Sequence, residues 1–297
     1  MKVGAMLPIS DGDGPDGRAP TWPEILEIAT AIEDSGLDSG WLADHVLYRA
    51  EDGTEHGIHE AWTLLTAVAA RTRRIELGTL VLCAPFRNPA MTAKQAAAFE
   101  LVAPGRLTLG VGSGWHEPEF DAFGLPFDHR VGRFEEWLEI VTRLVRGERV
   151  TLDGEYHQAH AAQLLPPPPR SIPVLVASKG PRMLDLTARW ADAWNTAWYG
   201  LPDDRLRTRM ADFGAAMERA GRDPSSLQRT VGLLVRDEDQ PYADPSPNAI
   251  GGSVDDLARA LETYAGLGFD LAMVGLEPIT VRSVERLAAA AALVRST

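Results

Sequence analysis

A histidine beside a carboxylate, Asp44-His45, is the pair of side chains in this chain best suited to proton transfer, because the imidazole titrates near neutral pH and a carboxylate can fix its tautomer. The same pair serves equally as a hydrogen-bonded rim. A glycine-rich segment, GVGSGW from Gly110 to Trp115, lets a planar ligand or a phosphate approach the backbone, or forms only a tight turn. It is neither the dinucleotide fingerprint, since Gly114 comes one place too early, nor the hydrolase elbow, since Val111 and Trp115 flank Ser113. A third segment, ASKGPR from Ala177 to Arg182, places Pro181 at the start of a helical run. Backbone N–H groups there, with Ser178, Lys179 and Arg182, make a phosphate cradle, although Ser178 also suits a cap and Lys179 a solvated cation. His56, His59, Glu60, His116 and Glu117 lack any metal-ligand spacing, so no metal is expected. Trp115, Trp194 and Trp198 are barrel packing or walls for a flat cofactor.

Each of these segments follows a short run of strand-forming residues. Eight such runs are legible: Val3 to Leu7, Ser39 to Ala43, Ile75 to Leu82, Leu107 to Val111, Pro173 to Ala177, Ala193 to Ala197, Thr230 to Val235 and Leu271 to Gly275. Eight helical stretches alternate with them, punctuated by Thr21 and Pro23 at one start, Gly36 at a stop, Asn88 with Pro89, and Ser253 with Asp256. Eight βα units in 297 residues predict an α/β fold, a (β/α)8 TIM barrel forming a single domain over 1–297, ahead of a doubly wound sheet. In such a barrel the site lies at the C-terminal ends of the strands, where all three segments fall. Two insertions interrupt the alternation. One is loop-rich, Trp115 to Arg130 after strand four; the other, Val150 to Pro169 before strand five, reads as a hairpin ending in a run of four prolines. Asp237 to Ile250, rich in Pro, Asp and Asn, is expected to be a mobile loop.

The composition is that of a globular chain, with 45% hydrophobic and 24% charged residues. With 29 basic against 42 acidic residues the net charge is −13, which repels nucleic acid and anionic membrane. The single cysteine, Cys83, excludes an internal disulfide and fits a cytoplasmic setting. The N-terminus lacks the pattern of a signal peptide, and no apolar run is long enough to span a membrane.

Read together and in order, LDSGWLADH (Leu37 to His45), RIELGTLVL (Arg74 to Leu82), the segment from Asn88 to Phe127 and IPVLVASKGPRMLDLTARWADAWN (Ile172 to Asn195) resemble the bacterial luciferase-like monooxygenase superfamily. Within it the resemblance runs to the oxidoreductases that use the deazaflavin coenzyme F420. It implies a TIM barrel, frequently dimeric, with the cofactor across the C-terminal mouth and a small-molecule substrate. Asp44 and His45 would then lie near the reactive ring with Trp115 as an apolar wall. The Leu80-Val81 peptide would form the bulge behind the ring, a bond that is cis in many relatives. Ser113 and Gly114 would meet the tail region, while Ala177, Ser178, Lys179 and Gly180, with Pro181 and Arg182, would take the phosphate. Arg170, Lys179 and Arg182 would offer a basic exit for the oligoglutamate tail. Sugar-phosphate dehydrogenases of this group carry a glutamate where Trp115 stands, which argues against that substrate. A monooxygenase using reduced FMN and a non-catalytic flavin-binding barrel are the alternatives the resemblance leaves open.

Overall fold

The computed structural model describes residues 1–242 and 246–296. Eight parallel strands form the central sheet: β1 (Lys2–Met6), β2 (Ser39–Leu42), β3 (Glu76–Thr79), β4 (Leu107–Gly112), β5 (Val174–Ala177), β6 (Ala193–Tyr199), β7 (Gln228–Arg236) and β8 (Leu271–Glu277). Each pairs with its neighbours in chain order, β8 pairs back to β1, and β4 pairs with β5 (Val174 with Leu109), so the sheet closes into a barrel. The third strand is shorter than its apolar run. It stops at Thr79, the Leu80–Val81 peptide is cis, and Leu82–Cys83 rejoins β4 beyond the break.

Around the barrel run α1 (Trp22–Asp34), α2 (Ala61–Arg71), α3 (Pro89–Val102), α4 (Arg130–Val145), α5 (Pro181–Trp190), α6 (Asp204–Arg219), α7 (Val254–Gly266) and α8 (Val281–Ser296). Their starts follow local chemistry. Glu24 accepts the Thr21 N–H at 2.7 Å, Asn88 accepts from Ala90 at 2.9 Å ahead of Pro89, and Ser253 and Asp256 bond reciprocally. Gly36 ends α1 with φ +80°, a conformation that favours glycine. The apolar faces of the helices and the outward residues of the strands, such as Val3, Ala5, Ile28, Ile32 and Val231, form the main core.

A second apolar cluster fills the barrel itself: Met6, Trp41, Leu80, Leu175, Ala193, Leu271 and Met273. Trp41 occupies the lower layer, held by its indole N–H on Ser39 Oγ at 2.8 Å, and it needs glycine beside it. A Cβ at Gly78 would lie 2.3 Å from its ring. One step towards the C-terminal end the inward positions become Ala43, Ala177 and Gly275, because inward residues recur every second place along a strand. The barrel is therefore plugged below and open above.

Beyond β4 the chain forms a short helix, Glu117–Ala122, and between α4 and β5 an antiparallel hairpin, Val150–Asp153 with Gln158–Ala162. Of the acidic, proline-containing stretch after β7, 243–245 lie outside the described residues. Ile250 pairs with Val235 as a parallel bridge.

Candidate active site

The two residues of the Asp44-His45 pair face different neighbours. Asp44 is buried and accepts two bonds from Arg87, at 2.5 and 3.0 Å, and one from the Cys83 N–H at 2.8 Å. Burial pushes its carboxyl up from the ordinary range, against the pull of Arg87. Arg87 also reaches Glu60 at 2.6 Å, and Glu60 caps α2. Asp44 is thus a staple between the end of β2 and the turn after β3, and it does not orient His45. That task falls to Glu119, whose carboxylate meets His45 Nδ1 at 3.0 Å and accepts the Val46 N–H at 3.0 Å. Only 2% of the Glu119 side chain is exposed, which places the pair in a low-dielectric pocket under the mouth. The sequence contained a hint of this, since Glu119 lies in the acidic start of a helix directly after the glycine-rich turn.

Aromatic rings surround the imidazole. Trp115 stands edge-on to His45 with centroids 5.6 Å apart, and Tyr48 lies at 6.5 Å. Tyr48 stacks on His116 at 4.6 Å. His116 Nε2 accepts the Arg49 N–H at 2.9 Å, and burial lowers the pKa of this second imidazole. Trp115 is 61% exposed, so it is a wall of the mouth and not core packing. Trp194 takes the other course, fully buried and stacked on Phe213 at 4.1 Å. Trp198 follows a second cis peptide, Ala197–Trp198, and its ring covers Gly232 and Gly275 on the inner wall.

The glycine-rich turn is tight for a stated reason. Gly114 has φ +75°, and a Cβ there would lie 2.5 Å from Phe120 and 2.9 Å from Cys83. Ser113 beside it is half-buried at the mouth. The peptide of Leu80 and Val81 turns its side chains onto the interior cluster, and Val81 lies where a Cβ at Gly112 would be 2.8 Å from it.

At the end of β5 the segment expected to hold a phosphate divides. Ser178 is turned inward: Thr187 donates its proton to the Met183 carbonyl at 2.8 Å, so Ser178 Oγ is the donor in the 2.9 Å bond between the two hydroxyls. Its N–H goes to the Asn195 carbonyl at 3.2 Å. Ser178 braces the loop. Ala177 is half-buried at the strand end, and Gly180 is the N-cap of α5 with Pro181 in the first turn. The first-turn N–H groups of Arg182 and Met183 have no helical acceptor. Among the described residues Lys179 has no carboxylate partner, and it faces Arg209 and Arg205 from α6. Desolvation, then these two guanidinium groups, lower its pKa. Arg209 donates to the Lys179 carbonyl, and its Nε is buried without a partner. Arg182 pairs with Glu135 on α4 at 2.7 Å. Arg170 belongs elsewhere: it binds Glu100 at 2.9 Å and the carbonyl of Leu107, the first residue of β4, and so lies at the opposite end of the barrel.

The donors present fit a flat cofactor with a phosphate. Alanine and glycine leave room at the mouth, and an ammonium with no carboxylate partner among the described residues stands beside a helix N-terminus. The histidines and acids first weighed as metal ligands are dispersed: His59 Nε2 lies 2.9 Å from the Pro20 carbonyl, Glu60 caps α2, and His116 holds Arg49.

Residues 1–243 match the model of the luciferase-like monooxygenase family. An F420-dependent glucose-6-phosphate dehydrogenase of Kineococcus radiotolerans is 33% identical over 224 residues, 73% of this chain and 65% of that protein. The chain thus spans just under two thirds of the length of this relative. Among solved structures, an F420-dependent secondary alcohol dehydrogenase with an F420-acetone adduct has a TM-score of 0.83 at 19% identity, covering 99% of both chains. An EDTA monooxygenase from Chelativorans sp. BNC1 has a TM-score of 0.82 at 16% identity, covering 100% of this chain and 94% of that one. These two likenesses confirm the barrel.

Proposed function

The chain belongs to the luciferase-like monooxygenase family, and from that membership we propose that it is an oxidoreductase moving a hydride between coenzyme F420 and a small organic substrate. The observation that carries this reading is the Glu119–His45 pair at the barrel mouth. Glu119 accepts the Val46 N–H at one oxygen, and with the carboxylate ionised the other accepts from His45, which assigns the imidazole proton to Nδ1. The other ring nitrogen, Nε2, is then a base when the imidazole is neutral and an acid when it is charged. When bound, the deazaflavin supplies the hydride acceptor or donor. His45 takes or returns the proton of the substrate oxygen, Trp115 and Tyr48 exclude water from it, and Lys179 with the N–H groups of Arg182 and Met183 holds the cofactor phosphate. Gly114, Ser113 and the Leu80–Val81 peptide line the ring and tail region, Asp44 fixes the loop that carries His45, and Arg182, Gly180, Pro181 and Ala177 shape the cradle around Lys179.

The F420-dependent relative at 33% identity supports this cofactor. A monooxygenase using reduced FMN and oxygen would need the same flat site and phosphate cradle, and the EDTA monooxygenase neighbour keeps that reading in view. A non-catalytic flavin binder has no use for a buried carboxylate holding an imidazole at the mouth. We further place the protein in the cytoplasm as a homodimer in which 1–297 acts as one domain. A buried free cysteine suits a reducing compartment, and no helix among the described residues is long and apolar enough to cross a membrane. Replacing His45 by Ala should lower turnover on the order of 100-fold or more with cofactor affinity nearly unchanged. Turnover within a few-fold of wild type would make His45 a packing residue.

A further inference from the structure

Around His45 the mouth is apolar on both sides. Trp115, 61% exposed, and Tyr48, 36% exposed, stand on one side. Trp198, 37% exposed, lies over the inner wall of β7 and β8 on the other. Leaving such rings in water forgoes the free energy of covering them, so an occupant with an apolar body is favoured between them. The cations of the neighbouring segments are engaged: Arg130 donates to the Gly114 carbonyl at 3.1 Å and lies over the Phe127 ring, and others pair with carboxylates. Arg49 pairs with Glu55 at 2.6 Å, Arg87 with Asp44 at 2.5 Å, and Arg282 with Asp239 at 2.6 Å. On the β7 and β8 side the carboxylates Asp237 and Glu277 are buried and bonded, Asp237 to Gln240 and Arg282 and Glu277 to Ser246. Lys179 has no carboxylate partner among the described residues, and it lies at the α5 end, where the cofactor phosphate is proposed to bind.

We propose, resting on the cofactor reading above, that the substrate is an uncharged molecule with an apolar body of aromatic size bearing a hydroxyl or carbonyl, and not a phosphorylated sugar. The Trp115–Tyr48 wall receives the apolar body by dispersion and water exclusion. His45 Nε2 meets the one polar group. A phosphate ester placed against this wall would lose hydration to an apolar surface and could gain Arg130 only by drawing it off the Gly114 carbonyl and the Phe127 ring. This separates the chain from the sugar-phosphate relative it resembles at 33% identity.

The test is isothermal titration of the protein, first loaded with coenzyme F420, with 1-phenylethanol and separately with glucose 6-phosphate. Saturable binding of 1-phenylethanol is expected, weakened about 10-fold by Trp115→Ala and largely restored by Trp115→Phe, with no saturable binding of glucose 6-phosphate. Saturable binding of glucose 6-phosphate, absence of binding by 1-phenylethanol, or indifference to Trp115→Ala would each overturn the inference. A protein that fails to load F420 overturns the cofactor reading itself, and that failure is seen before either probe is added.

Discussion

Two imidazoles lie 6.4 Å apart at the barrel mouth, and their neighbours give them different work. His45 hangs on a buried carboxylate and keeps one nitrogen for a ligand. His116 spends its Nε2 on the Arg49 N–H and stacks on Tyr48, and burial lowers its pKa, with Glu119 pulling up and His45 and Arg49 pushing down. A histidine whose pKa is lower folded than unfolded binds its proton more readily in the unfolded chain. Its contribution to stability is therefore full above the unfolded value, about 6.5, and is lost as the pH falls through the folded value. Thermal unfolding from pH 8 to pH 5 should show a larger fall in Tm for the wild type than for His116→Gln. Superimposable pH profiles would remove His116 from the account. The adjacency of Asp44 and His45 suggested that these two act together. Neighbours in sequence at a strand end point in opposite directions, so adjacency disfavours contact, and only the return of the chain after β4 brings the true partner, Glu119, within reach.

At the scale of elements, the strands and helices were legible because β-type runs and helical periods alternate cleanly and because caps such as Asn88 and Ser253 act locally. The short helix Glu117–Ala122 was not, since six residues carry too little period to show which face turns inward. The segment proposed to hold the phosphate is half legible. Pro181 marks the start of α5, but Arg205 and Arg209 come from α6 and nothing in their own segment points to Lys179. Arg170 lies away from the expected basic exit because a residue ahead of a parallel strand belongs to the opposite end of the barrel from one just after it. Reversing charge in Lys179→Glu should weaken cofactor binding by roughly 10- to 100-fold, since a charge-assisted hydrogen bond contributes about 1.5 to 3 kcal/mol and each 1.4 kcal/mol is tenfold. Fluorescence titration with F420 reads this directly. An unchanged dissociation constant would move the phosphate elsewhere.

For the molecule as a whole, a net charge of −13 opposes any polyanionic ligand at long range, and the oligoglutamate tail of F420 is one. Association must then rest on short-range contacts at Lys179, Arg205 and Arg209, partly countered by Asp203 and Asp212 beside them. Such contacts are screened by salt over a Debye length of about 8 to 10 Å near physiological ionic strength. F420 affinity should therefore fall more steeply with added salt than FMN affinity, because FMN brings the phosphate without the tail. The measurement closest to the central claim is parallel fluorescence titration of the purified protein with F420 and with FMN at low ionic strength. The account predicts tighter binding of F420, with the steeper salt dependence. Tight binding of FMN with no measurable binding of F420 would contradict it and put the monooxygenase reading in its place.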